Sequence, residues 1–200
     1  MSKVTCGMAM SLDGFVAGPN QSEEKPFGDI RENLLHEWMF KPGEAEKHKE
    51  EIDYLVDAGA FIMGRNMFGP RGEKYEQTWK GWWGPNPPYH APVFVLTHTP
   101  RESFEMEGGT IFHFVTDGPE SAFRQAKEAA KDKNILIAGG ANVVNQFLKA
   151  GIMDELWLHI APVTIGAGAR LFEGVSSLRL KPIKIGGTEM VTHIKYQVLK

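Results

Sequence analysis

Hydrophobic and polar positions along this chain follow two different periods, and each change of period marks a new element. Residues 3–10 set Val4, Cys6, Met8 and Met10 against Thr5, Gly7 and Ala9, the two-residue alternation of a strand. A polar stretch with Gly14, Gly18, Pro19, Pro26 and Gly28 then reads as loop. Residues 31–40 place Leu34, Leu35, Trp38 and Met39 on one side of a helix. Glu46–Ala58 predicts a second helix, with Ile52, Leu55 and Val56 inward and Gly59 as its stop. Ala60–Met63 is a short buried strand ending at Gly64, and Val93–Leu96 and Thr110–Val115 read the same way. Between them, Pro70, Gly72, Gly81, Gly84, Pro85, Pro87 and Pro88 exclude regular structure from 69–92.

The second half repeats the alternation of strand and helix. Asp117-Gly118-Pro119-Glu120 predicts a helix start with Asp117 as cap, and Phe123, Ala126 and Ala130 form that helix's inner face. Ile135–Ala138 is a strand, Gly139-Gly140 a turn, and Ala141–Ala150 a helix ended by Gly151. Leu156, Leu158 and Ile160 alternate in another strand. Two alternating runs, 178–186 and 190–199, predict an antiparallel hairpin around Gly186-Gly187. About eight strands and four helices result, so the expected class is α/β: a mixed sheet with flanking helices and an antiparallel edge. No repeat, low-complexity tract or linker divides residues 1–200, and one domain accounts for them.

Composition narrows the setting. Of the 200 residues, 42% are hydrophobic and 24% charged, which is globular usage. No stretch approaches the ~20 apolar residues of a membrane helix, and the first residues lack the apolar region of a signal peptide. A lone cysteine, Cys6, forms no internal disulfide, so a cytoplasmic, membrane-free setting is expected and Cys6 itself reads as an inert core residue. The net charge of −3 offers no field for nucleic acid. It is unevenly spread: residues 21–60 hold eleven acids against five bases, so an anionic ligand belongs elsewhere, nearer Arg65 and Arg101.

The strongest chemical signal is Ile135-Leu136-Ile137-Ala138-Gly139-Gly140-Ala141-Asn142-Val143, a buried strand running through two glycines into a helix. Glycines let a ligand approach the backbone, and a helix N-terminus offers free N–H groups to a phosphate. A tight turn with no ligand would look the same. Two more strand ends carry phosphate-compatible groups: Gly64-Arg65-Asn66, and Thr97-His98-Thr99 with Arg101 beyond. Ligands of open α/β sheets gather at such carboxyl ends, and three in one sheet suit a dinucleotide.

These residues, in this order, resemble a known family. Ser11-Leu12-Asp13-Gly14 after the first strand, Gly64-Arg65 after the next, Leu96-Thr97, and Gly139-Gly140 before a helix resemble the dihydrofolate reductase superfold. Ile152-Met153-Asp154-Glu155-Leu156, Ala161-Pro162-Val163 and Gly166-Ala167-Gly168 make the chain similar to the reductase domain of bacterial riboflavin-biosynthesis deaminase–reductases and their stand-alone relatives. The resemblance implies NADPH as hydride donor and a small heterocyclic substrate of pterin or pyrimidine type; a homodimer is expected separately, with the aromatic loop and the final hairpin as the dimerising surfaces. The resemblance also implies Gly139, Gly140, Ala141 and Asn142 at the pyrophosphate, and Arg65 and Asn66 at the adenosine phosphates. Thr97, His98 and Thr99 would then lie near the adenine ribose and its 2′-phosphate, and Met10, Ser11 and Leu12 along the nicotinamide.

Two positions depart from the family pattern. Met67 stands where the reductases have a threonine, which removes a hydroxyl from the pyrophosphate. The helix that in dihydrofolate reductases supplies a buried carboxylate offers Leu35 or His36 at that place. The candidates for proton transfer are therefore His36, whose intrinsic pKa suits neutrality, Glu37, and Asp13 of the Ser-Leu-Asp-Gly motif. Asp13 reads equally as a turn-former. Trp38, Trp82 and Trp83 are candidate substrate contacts, Trp82 and Trp83 in an aromatic 69–92 loop that serves either as a stacking lid or as packing on core or neighbour. Seven histidines show no metal-ligand spacing along the chain, so no metal is expected. The functional expectation is a reductase; a non-catalytic nucleotide or heterocycle binder on the same fold is the competing one.

Overall fold

A computed structural model describes residues 2–200. Its centre is a nine-stranded mixed sheet in the order β10-β11-β8-β1-β7-β3-β4-β6-β5. The parallel core comprises β1 (Val4–Ser11), β3 (Ala60–Gly64), β4 (Pro92–Leu96), β6 (Ile111–Val115), β7 (Ile135–Gly139) and β8 (Glu155–Ala161). Antiparallel strands β10 (Arg179–Thr188), β11 (Val191–Leu199) and β5 (Phe104–Glu105) form the two edges. A separate ribbon pairs β2 (Phe15–Ala17) with β9 (Ala169–Arg170). The expected α/β class holds. The sheet gains a ninth strand because β5 is two residues long, too short to leave a periodic trace.

The central strands are covered on both faces, so their residues read as continuous apolar runs. One face carries Cys6, Met8, Ile62, Phe94, Ile137 and Leu158 under helices α5 (Pro119–Ala130) and α6 (Ala141–Lys149). Val143, Val144, Phe147 and Leu148 of α6 are buried there, each stabilising by roughly 1.5–3 kcal/mol. The other face of β3, β4 and β6 carries Phe61, Met63, Val95 and Phe112. No long helix covers it; the 69–92 segment does, with Tyr89, Trp79 and Trp83 packed against it. Beyond the short helix α3 (Arg65–Phe68), the expected loop is interrupted by one turn of helix, α4 (Glu73–Glu76), and its last residue, Pro92, opens β4.

Four local expectations shift, each for a visible reason. The 31–40 helix shrinks to α1 (Glu37–Phe40), because Asn33 adopts a left-handed conformation with φ +56° and breaks the earlier turns. The 46–58 helix is a 3-10 turn (Ala45–His48) followed by α2 (Lys49–Tyr54). Gly59 does not stop it; it lets the chain pass Ala130, where a Cβ would lie 2.8 Å from the carbonyl oxygen. Asp117 does not cap α5, whose cap is Gly118 at φ +96° with Pro119 as first residue. The C-terminal hairpin turns at 189–190, and Gly186 and Gly187 pair within the ladder opposite His193 and Thr192.

Candidate functional site

Strand pairing itself opens the candidate crevice. β1 pairs with β8 from Thr5 to Ser11, but with β7 only at Val4↔Ile135 and Thr5↔Leu136. β7 meanwhile stays with β3 as far as Met63↔Gly139. Beyond Thr5 and Leu136 the two central strands therefore part, at the carboxyl ends of a parallel sheet. Met8 projects toward the fork: its Cε lies 3.2 Å from where a Gly139 Cβ would stand, and the Met67 Sδ lies 2.9 Å from the same point.

The glycines of the fork have separate roles. Gly139 has φ +127°, a conformation that side chains resist, and its peptide to Gly140 is cis. Gly140 has an ordinary φ of −73° and open space where its Cβ would be. Its carbonyl accepts the first bonds of α6, from the N–H groups of Val143 and Val144, so those of Ala141 and Asn142 precede the helix's own ladder. Gly64 closes the same corner: a Cβ there would lie 3.7 Å from the Gly140 nitrogen and 3.0 Å from Val143 Cγ2. The fold thus brings the two glycine-bearing strand ends side by side. Backbone N–H groups beside uncovered space at a helix N-terminus fit an anionic group such as a pyrophosphate.

The loop after β1 is tied down by one carboxylate. Asp13 accepts from the Ser11 hydroxyl at 2.5 Å and from the Gly166 N–H at 2.7 Å, with Ile165 N–H at 3.2 Å. The Ser11 bond, with the two backbone N–H groups, holds its carboxyl below the ordinary carboxylate range. Ser11 Oγ also accepts from the Phe15 N–H at 3.0 Å, so its side chain is spent on the turn. Met10 is buried beside it, and Leu12 is exposed with its N–H bonded to the Val163 carbonyl.

The other strand ends are less free than their residue types suggest. The Arg65 guanidinium donates to both carboxylate oxygens of Glu76, at 3.2 and 3.3 Å, and to the Pro70 carbonyl, while its Nη1 is buried without a partner. Asn66 accepts from Arg71 Nε at 3.3 Å. Thr97 Oγ1 accepts from the Thr99 N–H, and His98 stands exposed beyond it. Arg101 lies over the rings of Phe104 and Phe114, 4.6 and 4.9 Å from their centroids.

Residues 2–192 match the profile of the RibD C-terminal domain. The chain belongs to the RibD C-terminal domain family. Uncharacterized protein YwjB of Bacillus subtilis is 30% identical over 196 residues, with 96% of each chain covered. Among solved structures, a protein provisionally assigned to riboflavin biosynthesis in Shewanella sp. PV-4 is 22% identical, covers 99% of both chains and has a TM-score of 0.67. Dihydrofolate reductase of Enterococcus faecalis, solved with NADP(H) and RAB-propyl, is 16% identical with a TM-score of 0.56, over 99% of this chain and 97% of its own. At these identities the likeness to the solved structures is one of fold.

Within this RibD-type fold, several sequence-based site expectations need correction. Glu37 is half-exposed and ion-paired with Arg31, so its carboxylate is already engaged. Trp38 is fully buried and packs on the rings of His48, His159 and His193, with centroids 4.9–5.5 Å away, so it is a core residue and not a substrate contact. Trp83 stacks on Phe112 and meets Tyr89 edge-on, and Trp82 meets Trp79 at 4.9 Å. Through Trp79, Trp83 and Tyr89 the aromatic loop packs as a layer of the fold over the face that includes Phe112 of β6, so Trp83 serves as packing; Trp82 contacts this layer through Trp79. His36 packs on Phe27 at 4.6 Å with its Nδ1 unpartnered; burial lowers its pKa to about 4, so it is neutral at pH 7 and carries no proton to donate as an acid.

Sequence reasoning also missed a cluster. Seven histidines with no close spacing along the chain include three that touch in space. His159 Nδ1 is 2.8 Å from His193 Nδ1, and His193 Nε2 is 2.9 Å from His48 Nδ1. All three are buried, across partners 34 and 145 residues apart. Only an alternation that puts His159 and His193 on one sheet face, and the register His193↔His159, hints at it. Cys6 follows expectation: it is fully buried, and burial pushes its thiol up to about 12.

Proposed function

We propose that this protein is an NADPH-dependent reductase acting on a pterin- or pyrimidine-like heterocycle, with a reaction similar to the reduction of 5-amino-6-(5-phosphoribosylamino)uracil. The observation that carries this reading is the fork between β1 and β7, where Gly140 has open space beside Gly64 and the first N–H groups of α6. Gly139, Gly140, Ala141 and Asn142 hold the pyrophosphate in this reading. Thr97, His98 and Thr99 face the adenine ribose, and Met10 and Ser11 present backbone atoms to the nicotinamide. When bound, the cofactor supplies a hydride.

The chain's own residues then bind and orient. Arg65 and Asn66 serve the adenosine phosphates once Arg65 exchanges Glu76 for a phosphate, a trade of one bidentate anion for another. Asp13 is a positioning residue: it holds the loop after β1 against residues 165–166 and so fixes one wall of the fork. Burial of Met8 and Met10 keeps that wall dry, which favours hydride transfer over proton leakage.

A second reading, a binder without turnover, is favoured by Met67 against Gly139 and by the engagement of Asp13 and Glu37 in other bonds. Titration of NADPH against intrinsic tryptophan fluorescence, followed by NADPH consumption with pteridines and the riboflavin intermediate, separates the readings. Binding with turnover supports the reductase, and binding alone supports the second reading. No binding up to millimolar cofactor overturns the reductase and the nucleotide-binding form of the second reading, and no binding of the pteridines or the riboflavin intermediate overturns its heterocycle-binding form. The homodimer belongs to this proposal too, on the exposed Ile183 and Ile185 of edge strand β10. Light scattering of an Ile183→Lys, Ile185→Lys variant checks it, and an unchanged mass refutes that surface.

A further inference from the structure

The buried histidines lie outside every role assigned above, and their geometry asks for a cation. His48 sits at the end of the 3-10 turn leading into α2, Glu51 is in α2, and His193 is in β11. One ligand atom from each lies within 4.8 Å of the others, and all three residues are buried.

A neutral imidazole has one N–H and one lone pair, so what each outer nitrogen meets decides what the inner nitrogen presents. His193 Nδ1 has His159 Nδ1 as its partner at 2.8 Å. Outside His48 Nε2 stand Thr188 Oγ1 at 3.4 Å and Glu44 Oε2 at 3.8 Å, and that carboxylate oxygen is buried with no donor of its own. In the tautomer where His193 Nδ1 donates to His159, the His159 proton sits on its buried, unpartnered Nε2. With the His48 proton on Nε2, toward Thr188 and the Glu44 carboxylate, His48 Nδ1 and His193 Nε2 then turn bare lone pairs toward each other 2.9 Å apart. That pattern, an imidazole oriented by an outer carboxylate or imidazole, is how metal-bound histidines are held. Two ligands ~2.0–2.1 Å from one tetrahedral ion stand a few tenths of an ångström farther apart than this, which small side-chain rotations supply.

We propose that His48, His193 and Glu51 form a binding site for a borderline divalent transition metal, with zinc the best match to two imidazoles and one carboxylate. The site would tie α2 to the C-terminal hairpin. Lys184 is the built-in competitor: its Nζ is 3.5 Å from Glu51 Oε1 and also pairs with Glu50. Metal binding releases Lys184 from Glu51 while Glu50 retains it, so no charge is stranded. Hard cations such as magnesium, which prefer oxygen ligands and six-coordination, do not suit this donor set. The inference stands independently of the reductase reading, since it rests on the opposite cover of β8 and β11 and not on the fork.

The test is cobalt(II) titration of chelator-treated full-length protein. One equivalent is expected to bind with the intense visible absorption of four- or five-coordinate cobalt, to be displaced by zinc, and to raise the melting temperature where magnesium does not. Glu51→Gln and His48→Gln should each weaken binding by at least the roughly tenfold that loss of even an outer partner costs. A His90→Gln variant, which removes an exposed histidine with no assigned role, should bind as the parent does. The proposal is overturned by the weak octahedral spectrum of solvent-like cobalt, by no stoichiometric binding, or by wild-type affinity in Glu51→Gln. Glu51 pairs with the partly exposed Lys184 and Gln keeps its shape, so that variant reads out even where His48→Gln fails to fold.

Discussion

Substituting Gly140 by alanine separates the fork's architecture from its proposed occupancy. On the folded side the change is nearly neutral. Gly140 has φ −73°, which alanine adopts, and no atom lies within 4 Å of the new Cβ. As the residue capping α6, alanine is worse than glycine by roughly 0.5–1 kcal/mol, and it recovers about 0.4–1 kcal/mol by restricting the unfolded chain. These cancel, so urea denaturation should place Gly140→Ala within about 0.5 kcal/mol of the parent. Binding should respond differently. If the proposed reading holds, the methyl occupies the space through which a phosphate oxygen would reach the N–H groups of Ala141 and Asn142. Loss of one hydrogen bond to a charged oxygen costs about 1.5–3 kcal/mol, or roughly ten- to a hundredfold in NADPH dissociation constant. Fluorescence titration measures this directly. Binding within about twofold of the parent would remove the pyrophosphate from Gly140 and refute the argument. Gly139→Ala gives the contrast: its methionine neighbours are flexible, but φ +127° costs about 1–3 kcal/mol, and the melting temperature should fall by about 2–4 °C for each of these.

Other substitutions test the corrected assignments. Trp38→Ala should cost about 3–5 kcal/mol in chemical denaturation, as a buried ring does; unchanged stability with lost activity would restore a substrate role. Asp13→Ala should speed amide exchange at Ile165 and Gly166, and unchanged exchange would refute the clamp. Because Asp13 is held below the ordinary carboxylate range, its stabilising contribution is present above that range and is lost as pH falls through its folded value. His36 has the same proton sense, with burial and not hydrogen bonding as the cause. Its folded pKa of about 4 lies below the unfolded ~6.5, so the unfolded chain takes up the proton first and stability declines as pH falls between the two values. The decline is at most on the order of 3 kcal/mol, and a His36→Gln variant should show a flatter stability profile over that window. An identical profile would place the titration elsewhere.

The periodic elements were legible without any structure. Burial on a sheet or helix face imposes a period, so Val4–Met10, Ile135–Ala138 and the inner face of α6 declare themselves locally. The Gly139-Gly140 strand end is equally local as a signal, although only Gly139, at φ +127°, needs to lack a side chain for the fold. The short elements were not legible. One left-handed residue, Asn33, dissolves most of a helix whose apolar spacing is otherwise sound, and a two-residue strand has no period to read.

What only the tertiary structure decided is which polar groups find each other. Arginine at the end of β3 looks like an anion ligand until Glu76, eleven residues on, folds back to pair with it. Asp13 looks like a turn-former or an acid, and its partners at 165–166 are 152–153 residues away. Tryptophans in a loop look like a lid until β6 is seen to need cover that no helix supplies. His48 and His193, 145 residues apart, meet only because the fold brings the 3-10 turn before α2 against β11. Hydrophobic burial is a property each residue carries in its own side chain, so the sequence alone determined the order of strands and helices and the glycine-bearing ends. Charge pairing and hydrogen bonding act at contact distance between particular atoms, so those partners, and the chemistry they permit, waited on the fold.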